Sequence, residues 1–170
     1  SPNLPVLETA EVYPGTCFFE GVNISEGRGT ESPFQYIGAP WADGQKIAQL
    51  LKNKNIKGAD FKAVDFTPKF LPNNARPPKF NGQVCKGVFL SVKDRNTFEP
   101  VKAGVYLLWA FKQVGPDSLQ WRVKTIDRLA GTARLRQMID QGIPPEEIIK
   151  SWQKELADFM KVRSKYLLYK

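Results

Sequence analysis

No histidine occurs anywhere in the 170 residues. Ser-His-Asp and Cys-His nucleophile systems both need an imidazole titrating near neutrality, so both are excluded. A zinc site is improbable as well, because only Cys17, Cys85 and carboxylates are left as ligands. No apolar run approaches the about 20 residues that span a bilayer. The opening "SPNLPVLETAEVYPGT" lacks the charged-then-apolar plan of a secretion signal and reads as a linker entering a domain. Long basic runs are missing too. The net charge of +8 is scattered, with no Lys/Arg run longer than two and no alternation of Arg with aromatics. That pattern describes a solvated basic surface better than a nucleic-acid footprint. Two cysteines alone leave open a single disulfide or two buried thiols, and the reading favours free thiols.

What is present suits one globular domain. The hydrophobic fraction is 42% and the aromatic fraction 12%, ample for a single core. Residues 1–15 contain three prolines and are expected to be an extended lead-in, with the domain proper running over 16–170. "TCFFEGV" (16–22) is expected to be a short strand. In "APWADGQKIAQLLKNK" Asp43 can cap a helix whose Ile47, Leu50 and Leu51 share a face. "FKAVDFTPKF" (61–70) and "VCKGVFLSVKD" (84–94) alternate as strands, placing Cys17 and Cys85 on neighbouring strands. "LPNNARPPKFNGQ" between them is a long loop, a type that usually serves binding. Pro100 opens a helix that is apolar nearly all round and stops at Gly115. Two short helices follow. A long C-terminal helix then starts at Pro145, with Ile148, Trp152, Leu156, Phe159 and Arg163 as a packing stripe. The expected fold is α+β: a small, mostly antiparallel sheet covered by several helices.

One stretch has no packing purpose in its pattern. "EGVNISEGRGT" (20–30) sets Glu20, Asn23, Ser25, Glu26 and Arg28 among three glycines. Arginine offers a planar fork suited to a carboxylate, and the carboxylates and amide suit sugar hydroxyls. A phosphate loop is excluded, since the Lys-Ser/Thr ending is absent and two acids would repel phosphates. No cofactor is called for. Internal pairing of Glu26 with Arg28 and a ligand site both remain open at this point. An exposed loop with Arg28 accessible is expected, flanked by an apolar surface of Trp41, Phe70 and Phe80.

The wider stretch "YPGTCFFEGVNISEGRGTESPFQYIGAPW" closely resembles the C-terminal domain of the NamZ-type exo-β-N-acetylmuramidases. The match runs through Tyr13 to Cys17, Glu20, Gly21, Asn23, Ser25 to Thr30, Pro33, Phe34 and Gly38 to Trp41. It departs at Val22, where the family usually has Thr. "FTPKF" at 66–70, Cys85 to Val88 and "RSKYLLY" near the end extend it over essentially the whole chain. The resemblance implies a glycoside hydrolase that releases terminal N-acetylmuramic acid from peptidoglycan fragments, outside the cytoplasm (periplasmic or extracellular). It implies a Rossmann-like N-terminal partner domain carrying the principal catalytic glutamate, with the substrate in a cleft between the two. In that setting Glu20 and Glu26 are candidate catalytic groups, and Asn23, Ser25, Arg28 and Trp41 candidate contacts to the muramic acid glycan. Glycosidases need two carboxyl groups and no histidine. The competing expectation is a non-catalytic carbohydrate-binding or interdomain packing module.

Overall fold

The computed structural model describes residues 3–70 and 76–169, so the first five residues of the Pro-rich loop lie outside the described residues. Three strands, β1 (Tyr36–Ala39), β2 (Ala59–Phe66) and β3 (Cys85–Val92), form an antiparallel sheet in the order β1-β3-β2. Val88 of the central strand faces Ile37 on one side and Ala63 on the other. Helix α2 (Gly44–Asn53) lies on this sheet with Ile47 and Leu51 buried, one turn apart. Asp43 caps it as expected, its Oδ1 accepting from Lys46 N at 3.1 Å.

Helix α3 (Pro100–Val114) is the axis of the helical layer. It buries Ala103, Val105, Leu107, Leu108, Ala110 and Phe111, which is why its sequence is apolar nearly all round. The short helices α4 (Val123–Ala130), α5 (Arg134–Asp140) and α6 (Pro145–Ser151) add Ile126, Leu135, Ile139 and Ile148 to the same core. The α+β class and the short-helix pattern therefore stand as read.

Residues 7–16 are not an extended lead-in but a helix, α1 (Leu7–Thr16). Pro5 precedes it, and Pro14 enters only at its last turn, where one missing N–H costs little of the helix. Thr9, Val12 and Gly15 are buried. Gly15 and Gly104 let α1 and α3 meet backbone to backbone, because a Cβ at Gly15 would run into the Pro100 carbonyl. Glu8 ties the helix to the sheet by accepting from Val92 N at 2.9 Å.

The expected strand at 16–22 is also overturned. Cys17–Gly21 forms a 3-10 helix. Phe18 and Phe19 are both buried, which alternating strand faces on a one-sided sheet would not allow. Cys17 thus sits on a helix rather than beside Cys85, and both thiols are free and buried.

The C-terminal helix is interrupted at Trp152 (φ −106°, ψ 0°), giving α6 and then α7 (Gln153–Arg163). Its distal stripe does not pack as expected: α7 has no buried residue. Nor do Trp41, Phe70 and Phe80 form an exposed apolar surface. Trp41 and Phe80 are half-buried against the core, and only Phe70 is open, at 48%. Among the described residues no helix is long and apolar enough to cross a membrane.

Candidate functional site

The stretch 20–30 is not an exposed loop, contrary to expectation. It is laid into the domain by backbone bonds. Ser25 and Gly38 exchange two hydrogen bonds (2.7 and 3.1 Å), Glu26 O accepts from Phe34 N at 2.6 Å, and Gly29 O accepts from Lys69 N at 2.9 Å. Gly27 (φ 76°) and Gly29 (φ 81°) take left-handed conformations on either side of Arg28. Side chains there would meet the Tyr36 carbonyl and the Lys69 backbone. The two turns bury their own backbone and leave Arg28 as the residue that stands out, its side chain 33% exposed.

Arg28 is held in place by two acids. Its Nη2 lies 3.3 Å from Glu20 Oε1, and its Nε lies 3.2 Å from Glu26 Oε1. The guanidinium carbon sits 5.0 Å from the centre of the Phe34 ring. Tyr13 meets that same ring edge-on at 4.8 Å. The fork is therefore held by two acids against an aromatic face while its side chain stays one-third exposed.

The two glutamates differ sharply. Glu20, in the 3-10 helix, has a side chain 31% exposed and pairs with Arg28. Glu26 is 5% exposed, and its second oxygen Oε2 accepts from Lys79 Nζ at 2.8 Å. Lys79 also donates to the carbonyls of Phe19 and Ile24, so all three of its protons are used. Burial pushes the Lys79 ammonium below its ordinary pKa, and the charge of Glu26 works against that shift. Burial likewise pushes the Tyr13 hydroxyl up, with the charge of Glu20 adding to it and Arg28 opposing.

The other candidates have internal work. Asn23 donates to Ser118 O at 2.9 Å and accepts from Gln120 N at 2.7 Å, anchoring the loop before α4. Ser25 is buried, and its hydroxyl accepts from Gly27 N at 3.1 Å. Trp41 packs edge-on against Phe111 with ring centres 6.2 Å apart, and its ring fills the space over Gly115. The structure thus brings Glu20, Glu26 and Arg28 together, and adds Tyr13, Phe34 and Lys79. Lys79 was invisible in the sequence, being one of two cations in a Pro-rich stretch, 53 positions from Glu26. Among the described residues no three His, Cys, Asp or Glu side chains gather as metal ligands.

Residues 11–169 match the family described as "Exo-beta-N-acetylmuramidase NamZ, C-terminal". The chain belongs to that family. It is 40% identical, over 99% of its length, to the peptidoglycan β-N-acetylmuramidase NamZ of Bacillus subtilis (strain 168), and covers 39% of that protein. Two solved DUF1343 family proteins of Bacteroides fragilis share the fold over 100% of the chain. One has a TM-score of 0.86 at 23% identity, the other 0.74 at 30%. The NamZ C-terminal domain seen here spans 44% and 43% of those two chains.

Proposed function

We propose that this domain forms one wall of the substrate cleft of a peptidoglycan-processing exo-β-N-acetylmuramidase. Arg28 receives the lactyl carboxylate of a terminal N-acetylmuramic acid, and Glu20 beside it accepts from a sugar hydroxyl. A Rossmann-like N-terminal domain of the same polypeptide closes the cleft and supplies the principal catalytic glutamate, and the enzyme works in the periplasm or outside the cell. The observation that carries this reading is the guanidinium fork itself: oriented by two carboxylates and an aromatic face, yet with its side chain 33% exposed. Such a preset fork suits a planar anion, and the family match supplies the peptidoglycan context.

Glu26 has a different part. Buried and paired with two cations, it orients Arg28 and is not available to move a proton to a substrate. That leaves Glu20 as the carboxylate of this domain within reach of the cleft. The test uses the complete two-domain polypeptide and a chromogenic muramic acid glycoside. Arg28→Lys is expected to raise KM roughly tenfold to a hundredfold, the worth of a charge-assisted bond, with kcat little changed. An unchanged KM overturns the assignment. Glu20→Gln separates a catalytic wall from a binding module. A fall in kcat at constant KM assigns it to the transition state, and a rise in KM alone assigns it to binding.

A further inference from the structure

Helix α7 should not be stable as it stands. It has eleven residues, none of them buried, and helices shorter than about 12–15 residues are marginal in water without packing. Its apolar side chains are nevertheless ordered by position. Trp152, Leu156, Phe159 and Met160 follow at helical spacing on one side, with Arg163 at the end of the same side, while Lys154, Asp158 and Lys161 fall on the other. Leu156, Phe159 and Met160 are 45%, 59% and 47% exposed. The segment after the helix continues the pattern with Tyr166, Leu168 and Tyr169 at 80%, 92% and 88%. At its other end the stripe runs into a groove of about 740 Å³, where Trp152 and Leu156 meet Phe18, Leu135 and Met138 among charged side chains that include Arg134 and Glu155. So many exposed apolar side chains at one end of the chain, interspersed with polar ones, mark an interface.

We infer that α7 and residues 164–169 are the docking surface for the part of the polypeptide that precedes this domain in its longer relatives. This rests on the two-domain organisation proposed above, not on the sugar chemistry of Arg28. Two findings choose this occupant over a second copy. The family match continues to residue 169, so the apolar tail belongs to the shared domain rather than to a stray end. The solved chains that share the fold over all of this chain carry more than half of their length outside it. A helix tied to α5 at its first turn by Glu155 and Arg134, with Leu156, Phe159 and Met160 left exposed, fits an intramolecular interface present at all concentrations.

Hydrogen exchange on the complete two-domain polypeptide tests this. Amides of 153–163 are expected to exchange at least about a hundredfold slower than in a free peptide, independent of protein concentration. Phe159→Glu with Leu168→Glu should return them to near free-peptide rates, whereas Lys154→Glu on the opposite side should not. Unprotected amides in the unaltered protein overturn the inference. So does protection lost on dilution together with dissociation of a dimer, which would assign the surface to a second copy. A polypeptide with no muramidase turnover but a protected α7 refutes the enzymatic reading and leaves the docking intact. An active enzyme with an unprotected α7 does the reverse.

Discussion

Replacing Lys79 by Met removes a cation from beneath the candidate site while keeping the aliphatic stem. The Lys79 side chain is 14% exposed and Glu26 6%, so water cannot take over its role. Three acceptors lose this donor at once, the carbonyls of Phe19 and Ile24 and Glu26 Oε2, and the Phe19 carbonyl keeps Val22 N–H at 3.3 Å. Glu26 keeps Arg28 through its other oxygen, so its charge is not orphaned outright. Breaking one side of a buried ion pair costs about 3–5 kcal/mol, and the remaining pair places the loss at the lower end, about 3 kcal/mol. Against a total of about 5–15 kcal/mol for a natural domain, that is a large share. Urea unfolding followed by tryptophan fluorescence measures it as a lower midpoint at an unchanged slope. The decisive control is the double variant Lys79→Met with Glu26→Gln. Once the carboxylate is neutral its desolvation penalty goes, and about 1–2 kcal/mol should return as a coupling energy. A single-variant loss under about 1 kcal/mol, or a double variant no more stable than the single, would refute the reasoning.

Asn23→Ala removes two hydrogen bonds to the 118–120 backbone and leaves Ser118 O and Gln120 N without those partners. It should cost about 1–3 kcal/mol in the same assay, and no measurable loss would show that water replaces the amide. Burial pushes the Cys85 thiol up to about 12 from an ordinary 9.0. The folded state therefore holds a proton that the unfolded chain releases, so this contribution is intact below pH 9 and is lost as pH rises from 9 towards 12. The slope it adds is at most about 1.4 kcal/mol per pH unit, and a Cys85→Ala variant that shows the same pH dependence of stability would contradict it.

The elements legible in the sequence are those whose local signals agree with their packing. Asp43 before α2 and Pro100 at the start of α3 point the same way as the burial they acquire, and β2 and β3 are strands as read, although β3 buries Cys85 and Gly87 opposite Val88 and Leu90 and Val84 is 55% exposed. Helix α1 was not legible, because Pro5 and Pro14 weigh against a helix only if their positions within the turn are ignored. The tertiary contact with α3 decided the matter. In the site, Arg28 with its two glutamates was visible as an unexplained polar cluster. The burial of Glu26 was not, because it depends on Lys79, 53 positions away, and on a loop anchored through Asn23 to residues 118–120. The alternation rule failed for Phe18 and Phe19 because a 3-10 turn at a helix junction buries neighbours in succession.

Asn23 waits on partners 95 and 97 positions further along the chain, and Glu26 on one 53 positions away. During synthesis at about 5–20 residues per second, the first 30 residues emerge roughly 5–20 s before Gln120 does. Through that interval the nascent segment holds Phe18, Phe19 and Ile24 without α3 and α4 to cover them, although Gly27 O with Thr30 N and Glu26 O with Phe34 N can already close the turn around Arg28. The anchors at Asn23 and Glu26 therefore lock late, and the segment that bears them is the one a ribosome-associated chaperone would meet uncovered.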